Sequence, residues 1–169
     1  MFKFYRKGSA FVLASACVAL STGSTPATAY AKQAISNDMS RCYSTSGPAI
    51  LIEIRGFEKT DGRIRVQSYR ATKDEWLEKG RWLNRIETDV KPANGVMRFC
   101  MPVPSAGSYG IAVRHDTNNN GKTDIWKDGG GFSNNPKANL FNLGKPSVGK
   151  VAVSVGSRPT SIAIQLQYM

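Results

Sequence analysis

From Ala49 onward, apolar and polar residues alternate with a period of two, in short runs broken by turn signals. This alternation constrains the chain more than any other feature, because only an extended strand sends successive side chains to opposite faces. Ile50, Ile52 and Ile54 fall on one face, with Glu53 and Arg55 on the other. Thr60-Asp61-Gly62 is a turn signal, and Ile64 and Val66 resume the alternation behind it, which predicts a hairpin. Strand character returns over 82–90, over 96–103 up to Pro102 and Pro104, and over 109–115, where Tyr109, Ile111 and Val113 share a face. Two further strands run through Val151, Val153 and Val155 and through Ile162, Ile164, Leu166 and Tyr168. About seven antiparallel strands predict an all-β fold, a single β-sandwich of immunoglobulin-like or transthyretin-like type over 49–169. One interruption, 71–80, carries Thr72 and Glu75 at capping-box spacing and Gly80 as a stop. It predicts one short helix that lays Trp76 or Leu77 on the sandwich.

The first residues have another character. Lys3, Arg6 and Lys7 precede an apolar run from Phe11 to Leu20, and Ala27-Thr28-Ala29 and Ala29-Tyr30-Ala31 follow. The run is shorter than the roughly 20 apolar residues a bilayer span needs. A basic end, a short apolar core and an A-x-A site predict a secretory signal peptide over 1–31, cleaved after Ala31 or, as second choice, after Ala29. A buried N-terminal helix is the competing reading, and Ser21 to Thr28 is a poor helix sequence. Lipoprotein processing at Cys17 is another, but the apolar run continues past the cysteine. The expected mature protein is periplasmic or secreted and has no transmembrane segment.

Removing 31 of the 169 residues leaves 138, and the three basic residues lost with them take the net charge from +11 to +8. That length suits one domain with a sizeable core. A basic surface favours anionic partners such as an envelope component or an acidic glycan. The basic residues alternate with apolar ones, as in Arg63-Ile64-Arg65, so they read as a solvated face and give no specific nucleic-acid signal. Two cysteines survive processing, Cys42 and Cys100. An even count in an exported chain reads as one disulfide, which would tether the polar segment 32–48; two buried thiols are the alternative. The absence of C-x-x-C leaves redox catalysis without support.

Chemistry concentrates in the loop from Asp116 to Asp124. Counting Asp116 as position 1, oxygen side chains fall at 1, 3, 5 and 9 (Asp116, Asn118, Asn120, Asp124), with Gly121 at 6 and the carbonyl of Lys122 at 7. This is the opening of the calcium-loop pattern D-x-[DN]-x-[DN]-G. Position 12 is Lys127 where an EF-hand supplies a bidentate Glu, so Asp128 or a carbonyl would have to substitute and affinity for Ca2+ would be modest. The alternative is a metal-free Asn/Gly loop ordered by its own hydrogen bonds. His115, the single histidine, reads as structural. With no G-x-S-x-G, no H-E-x-x-H and no phosphate-cradling glycine motif, the chain is expected to be non-enzymatic. Gly129-Gly130-Gly131 reads as flexible loop within a long Gly/Asn-rich stretch from Asp116 to about Pro146, of a length that is usually functional. Trp126, Phe132, Asn134 and Asn135 within it are ligand-binding candidates, with Trp82, Trp126 and Phe132 offering stacking platforms for a glycan.

Tyr109-Gly110-Ile111-Ala112-Val113-Arg114-His115-Asp116, followed by Asn118, Asn120-Gly121-Lys122 and Asp124, resembles the central block of the bacterial family catalogued as domain of unknown function 2141. Gly131-Phe132-Ser133-Asn134-Asn135 is similar to its G-[FY]-G-F-S-N-N block, and Gly144-Lys145-Pro146-Ser147 to its G-x-P-S block. The resemblance runs from about Ala49 to Met169. Gly129-Gly130 stands where the family often has an acidic residue, and Val148-Gly149-Lys150 where it has F-E-D-A. The resemblance implies an exported β-sandwich and no reaction.

Overall fold

A computed structural model describes residues 32–43, 47–137 and 144–169; the expected signal peptide, 1–31, lies outside the described residues. The alternating runs become β2 (Ala49–Arg55), β3 (Arg63–Arg70), β4 (Asn84–Asp89), β5 (Met97–Pro102), β6 (Gly107–Asp116), β8 (Val153–Val155) and β9 (Thr160–Gln165), which accounts for all seven expected strands. Two more join them: β1 (Gln33–Ala34), in the polar segment 32–48, and β7 (Gly129–Phe132), in the stretch expected to be flexible. The larger sheet runs β1-β4-β3-β6-β7, with β8 also on β6; the smaller runs β5-β2-β9.

The expectation of antiparallel strands throughout is corrected at two pairings: β1 lies parallel to β4, and β9 parallel to β2. Consecutive strands β8 and β9 lie in different sheets, so the direction of β9 is set by a crossing between layers and not by a hairpin. Ile50, Ile52 and Ile54 of β2, Phe99 and Met101 of β5 and Ile164 of β9 are buried in one cluster with Ile64, Val66, Ile86, Tyr109, Ile111 and Val113 of the larger sheet. Each such side chain contributes roughly 1.5–3 kcal/mol by leaving water.

The helix expected over 71–80 is a hydrogen-bonded turn instead. The Trp76 N–H donates to the Thr72 carbonyl at 3.0 Å, but Leu77 has a φ of 56°, a left-handed backbone that stops propagation. Trp76 is the residue laid on the sheet, on the outer face of the larger one. It lies so close over Gly110 that a Cβ there would come within 2.5 Å of its ring, and its indole N–H donates to the Pro146 carbonyl at 2.9 Å. Tyr69 and Phe132 meet it edge-on, at ring centroids 5.4 and 5.9 Å away.

The helices lie elsewhere, at α1 (Ser40–Tyr43) and α2 (Val148–Val151), so Val151 ends a helical turn and does not open a strand. Cys42 of α1 and Cys100 of β5 are joined in a disulfide, Cα atoms 5.6 Å apart, packed with Ala49, Met39 and Leu51 on the outer face of the smaller sheet. Among the described residues, no helix is long and apolar enough to cross a membrane.

Candidate functional site

β6 ends at Asp116, and the chain returns into the same sheet at Gly129, so the loop between them is held at both ends by adjacent strands. The Asp116 carboxylate accepts the N–H of Asn120 at 3.2 Å and of Gly121 at 2.8 Å. Asn118 accepts the N–H of Asn120, and Asn120 that of Lys122, each two residues on, at 3.2 and 2.7 Å. These short loops of side chain onto backbone curl the chain so that positions 1, 3 and 5 turn to one side. Asp124 meets them there, with one carboxylate oxygen accepting the amides of Asn120 at 2.8 Å and Asn118 at 3.1 Å. Those two amides, Asn120's first, hold the Asp124 carboxyl below its ordinary range, with smaller help from Lys127 and Lys122 against a small desolvation cost. The sequence spacing therefore does bring Asp116, Asn118, Asn120 and Asp124 together.

Two further side chains shape the loop. Asp128 is buried; its carboxylate accepts the N–H of Thr117 at 3.2 Å and of Asp124 at 3.0 Å, which closes the loop from its far end. Arg114 reaches across from β6, pairing with Asp116 at 3.3 Å and donating to the Gly121 carbonyl and to Thr123. A fixed guanidinium thus shares the Asp116 carboxylate. Among the described residues, no three histidine, cysteine or carboxylate side chains lie at metal-binding spacing.

His115 is fully buried between the Asp61 carbonyl, 2.7 Å from Nε2, and the Tyr168 hydroxyl, 2.6 Å from Nδ1. The carbonyl can only accept, so Nε2 carries a proton, and Nδ1 shares a hydrogen bond with the Tyr168 hydroxyl. The ring joins β6 to the 60–62 turn and to the end of the chain. Asn134 and Asn135 have φ of 62° and 48°, and their side chains bind backbone: Asn134 donates to Ala152 at 3.0 Å, while Asn135 donates to Ala163 at 2.9 Å and accepts from Gln165 at 2.7 Å. Trp126 is 72% exposed at the loop's crest.

Sequence reasoning missed a cavity of about 380 Å³ on the outer face of the larger sheet, between the Trp76 cluster and the Asp116 loop. Arg65, Arg114 and Gly130 line its floor, and Leu77, Ile125 and Phe132 its walls. Arg65 and Gly130 each lie directly beside Arg114, across the β3–β6 and β6–β7 pairings. The alternation placed the arginines on the outward face, but strand register is not written in either run alone.

The family described as an uncharacterized protein conserved in bacteria (DUF2141) matches residues 52–163. Neither the curated proteins nor the solved structures contain a match.

Proposed function

The chain belongs to this bacterial family of unknown function, and on that premise we propose that it is an exported, non-enzymatic binding module whose Asp116–Asp128 loop is ordered by calcium. The observation that carries the proposal is the convergence of Asp116, Asn118, Asn120 and Asp124 on one side of a loop curled by its own Asx bonds. Calcium takes six to eight oxygens in flexible geometry, and it would gather these four with the Lys122 carbonyl. Arg114, already paired with Asp116, opposes a second positive charge, which supports an affinity in the weak range of extracellular modules. The buried His115, both ring nitrogens engaged, supports a binding and not a catalytic role.

The test is thermal melting of the mature domain in chelator, calcium or magnesium. At about 100 times its dissociation constant calcium adds roughly 2.7 kcal/mol, an upward shift on the order of 5–10 °C for a domain of this size. Magnesium, which demands octahedral geometry, should do much less. Asp124→Ala is the informative variant: it removes a ligand whose partners are only side-chain amides, whereas Asp116 also anchors backbone. Equal midpoints in chelator and in millimolar calcium would leave a loop that orders itself. A second reading, binding of a glycan or anionic envelope component, is favoured by the exposure of Trp126 and is tested on a glycan array with Trp126→Ala.

A further inference from the structure

The outer face of the larger sheet carries more positive charge than it neutralises. Across β4, β3, β6 and β7, Glu87, Arg65, Arg114 and Gly130 stand side by side in one row, and Arg85, Gln67, Ala112 and Phe132 in the next. Arg65 and Arg114 are direct cross-strand neighbours, an arrangement of like charges that opposes pairing. Their carboxylate partners lie to either side, Glu87 at 2.9 Å from Arg65 and Asp116 at 3.3 Å from Arg114. Arg85 adds a third guanidinium, stacked 4.4 Å over the Trp82 ring and without a carboxylate at ion-pair distance among the described residues. In each of the three arginines the Nε–H has no acceptor among the described residues.

Gly130 marks where Arg65 and Arg114, though not Arg85, are accessible, from a cavity that Lys145 and the Asp128 carboxylate also line. Its neighbours in β7 are glycines for packing reasons: a Cβ on Gly129 would come within 2.5 Å of the Tyr168 ring, and one on Gly131 within 2.7 Å of Ile164. Gly130 faces the other way, and a Cβ there would meet nothing nearer than the Val113 carbonyl at 4.0 Å. Neither packing nor a left-handed backbone requires glycine at this position. What the missing side chain leaves is open floor beside Arg114, between the apolar walls of Phe132, Leu77 and Ile125.

We infer that this cavity binds a small organic anion, its acidic group over Arg65 and Arg114 and its apolar body against Phe132, Leu77 and Ile125. The volume, about 380 Å³, is at the lower end of small-molecule sites. Guanidinium groups suit a planar or tetrahedral oxyanion, and the cavity's low polarity strengthens that attraction. The inference rests on the binding-module reading but not on calcium occupancy of the loop that supplies Ile125.

The experiment is a fluorescence titration of the mature protein with anilinonaphthalene sulfonate and with N-phenyl-1-naphthylamine, the same ring system without the sulfonate. Both run in millimolar calcium, so that failure of the calcium reading leaves the result interpretable. The sulfonate should bind at least tenfold more tightly than the neutral amine. Arg65→Gln should remove most of that difference, and Gly130→Leu should weaken both probes at least tenfold while the melting midpoint holds. If Gly130→Leu does not fold, the Arg65→Gln arm decides alone. Equal affinity for the two probes, or a difference that survives Arg65→Gln, would overturn the inference.

Discussion

Asn135 shows how a residue's type can be legible while its partner is not. The F-S-N-N block stands out in the sequence, and a pair of asparagines in a glycine-rich stretch suggests a ligand. The structure gives the Asn135 side chain to Ala163 and Gln165, residues 28 and 30 positions further along the chain, and holds its own backbone at φ 48°. No local pattern announces bonds over that separation. Asn135→Ala should lose both hydrogen bonds, about 0.5–1.5 kcal/mol each, and add left-handed strain of about 1 kcal/mol, for a total of about 2–4 kcal/mol. Asn135→Gly should lose less, because glycine accepts the backbone geometry. Denaturant unfolding of the two variants separates the terms, and a wild-type midpoint for Asn135→Ala would mean that the side chain is free in solution.

At the scale of elements, a strand is readable where side chains alternate and invisible where there are none to do so. Ile50-Leu51-Ile52-Glu53-Ile54 announces β2, whereas Gly129-Gly130-Gly131-Phe132 carries no alternation and was still paired with β6 over four residues. β1 is too short to show a period. The turn at 72–77 had its capping residues in place and failed as a helix at one backbone angle, that of Leu77. The disulfide was legible from the cysteine count, but not the element it fixes. α1 is a single turn that would not hold alone, and the bond clamps it against β5. In the loop-entropy model, a crosslink over 58 residues contributes about 4 kcal/mol. The Cys42→Ser, Cys100→Ser double variant should therefore unfold at markedly lower denaturant than the oxidised protein, with the core of the sandwich retained. An unchanged unfolding midpoint would mean that the disulfide fixes α1 without stabilising the domain.

For the whole molecule, the fold and the proposed route to its place of work meet at one peptide bond. Gln33 already donates to the Leu83 carbonyl at 3.0 Å, and Ile35 to that of Arg85 at 2.9 Å, which tie β1 to the edge of the larger sheet. Cleavage after Ala31 or after Ala29 spares both bonds, while a cut a few residues later would strip an edge strand and expose the unpaired backbone of β4. A protease that reads Ala29-Tyr30-Ala31 would thus cut shortly ahead of Gln33, the first paired residue among those described. The Cys42–Cys100 bond is compatible with the proposed route, because disulfides persist in oxidising compartments. N-terminal sequencing of protein recovered from outside the cytoplasm should begin at Lys32, or at Tyr30 for the second site, and alkylation without reductant should leave both cysteines unmodified. Exported protein that still began at Met1 would overturn the cleavage. Quantitative alkylation of Cys42 and Cys100 in that same protein would place it where the bond does not form, and overturn the compartment.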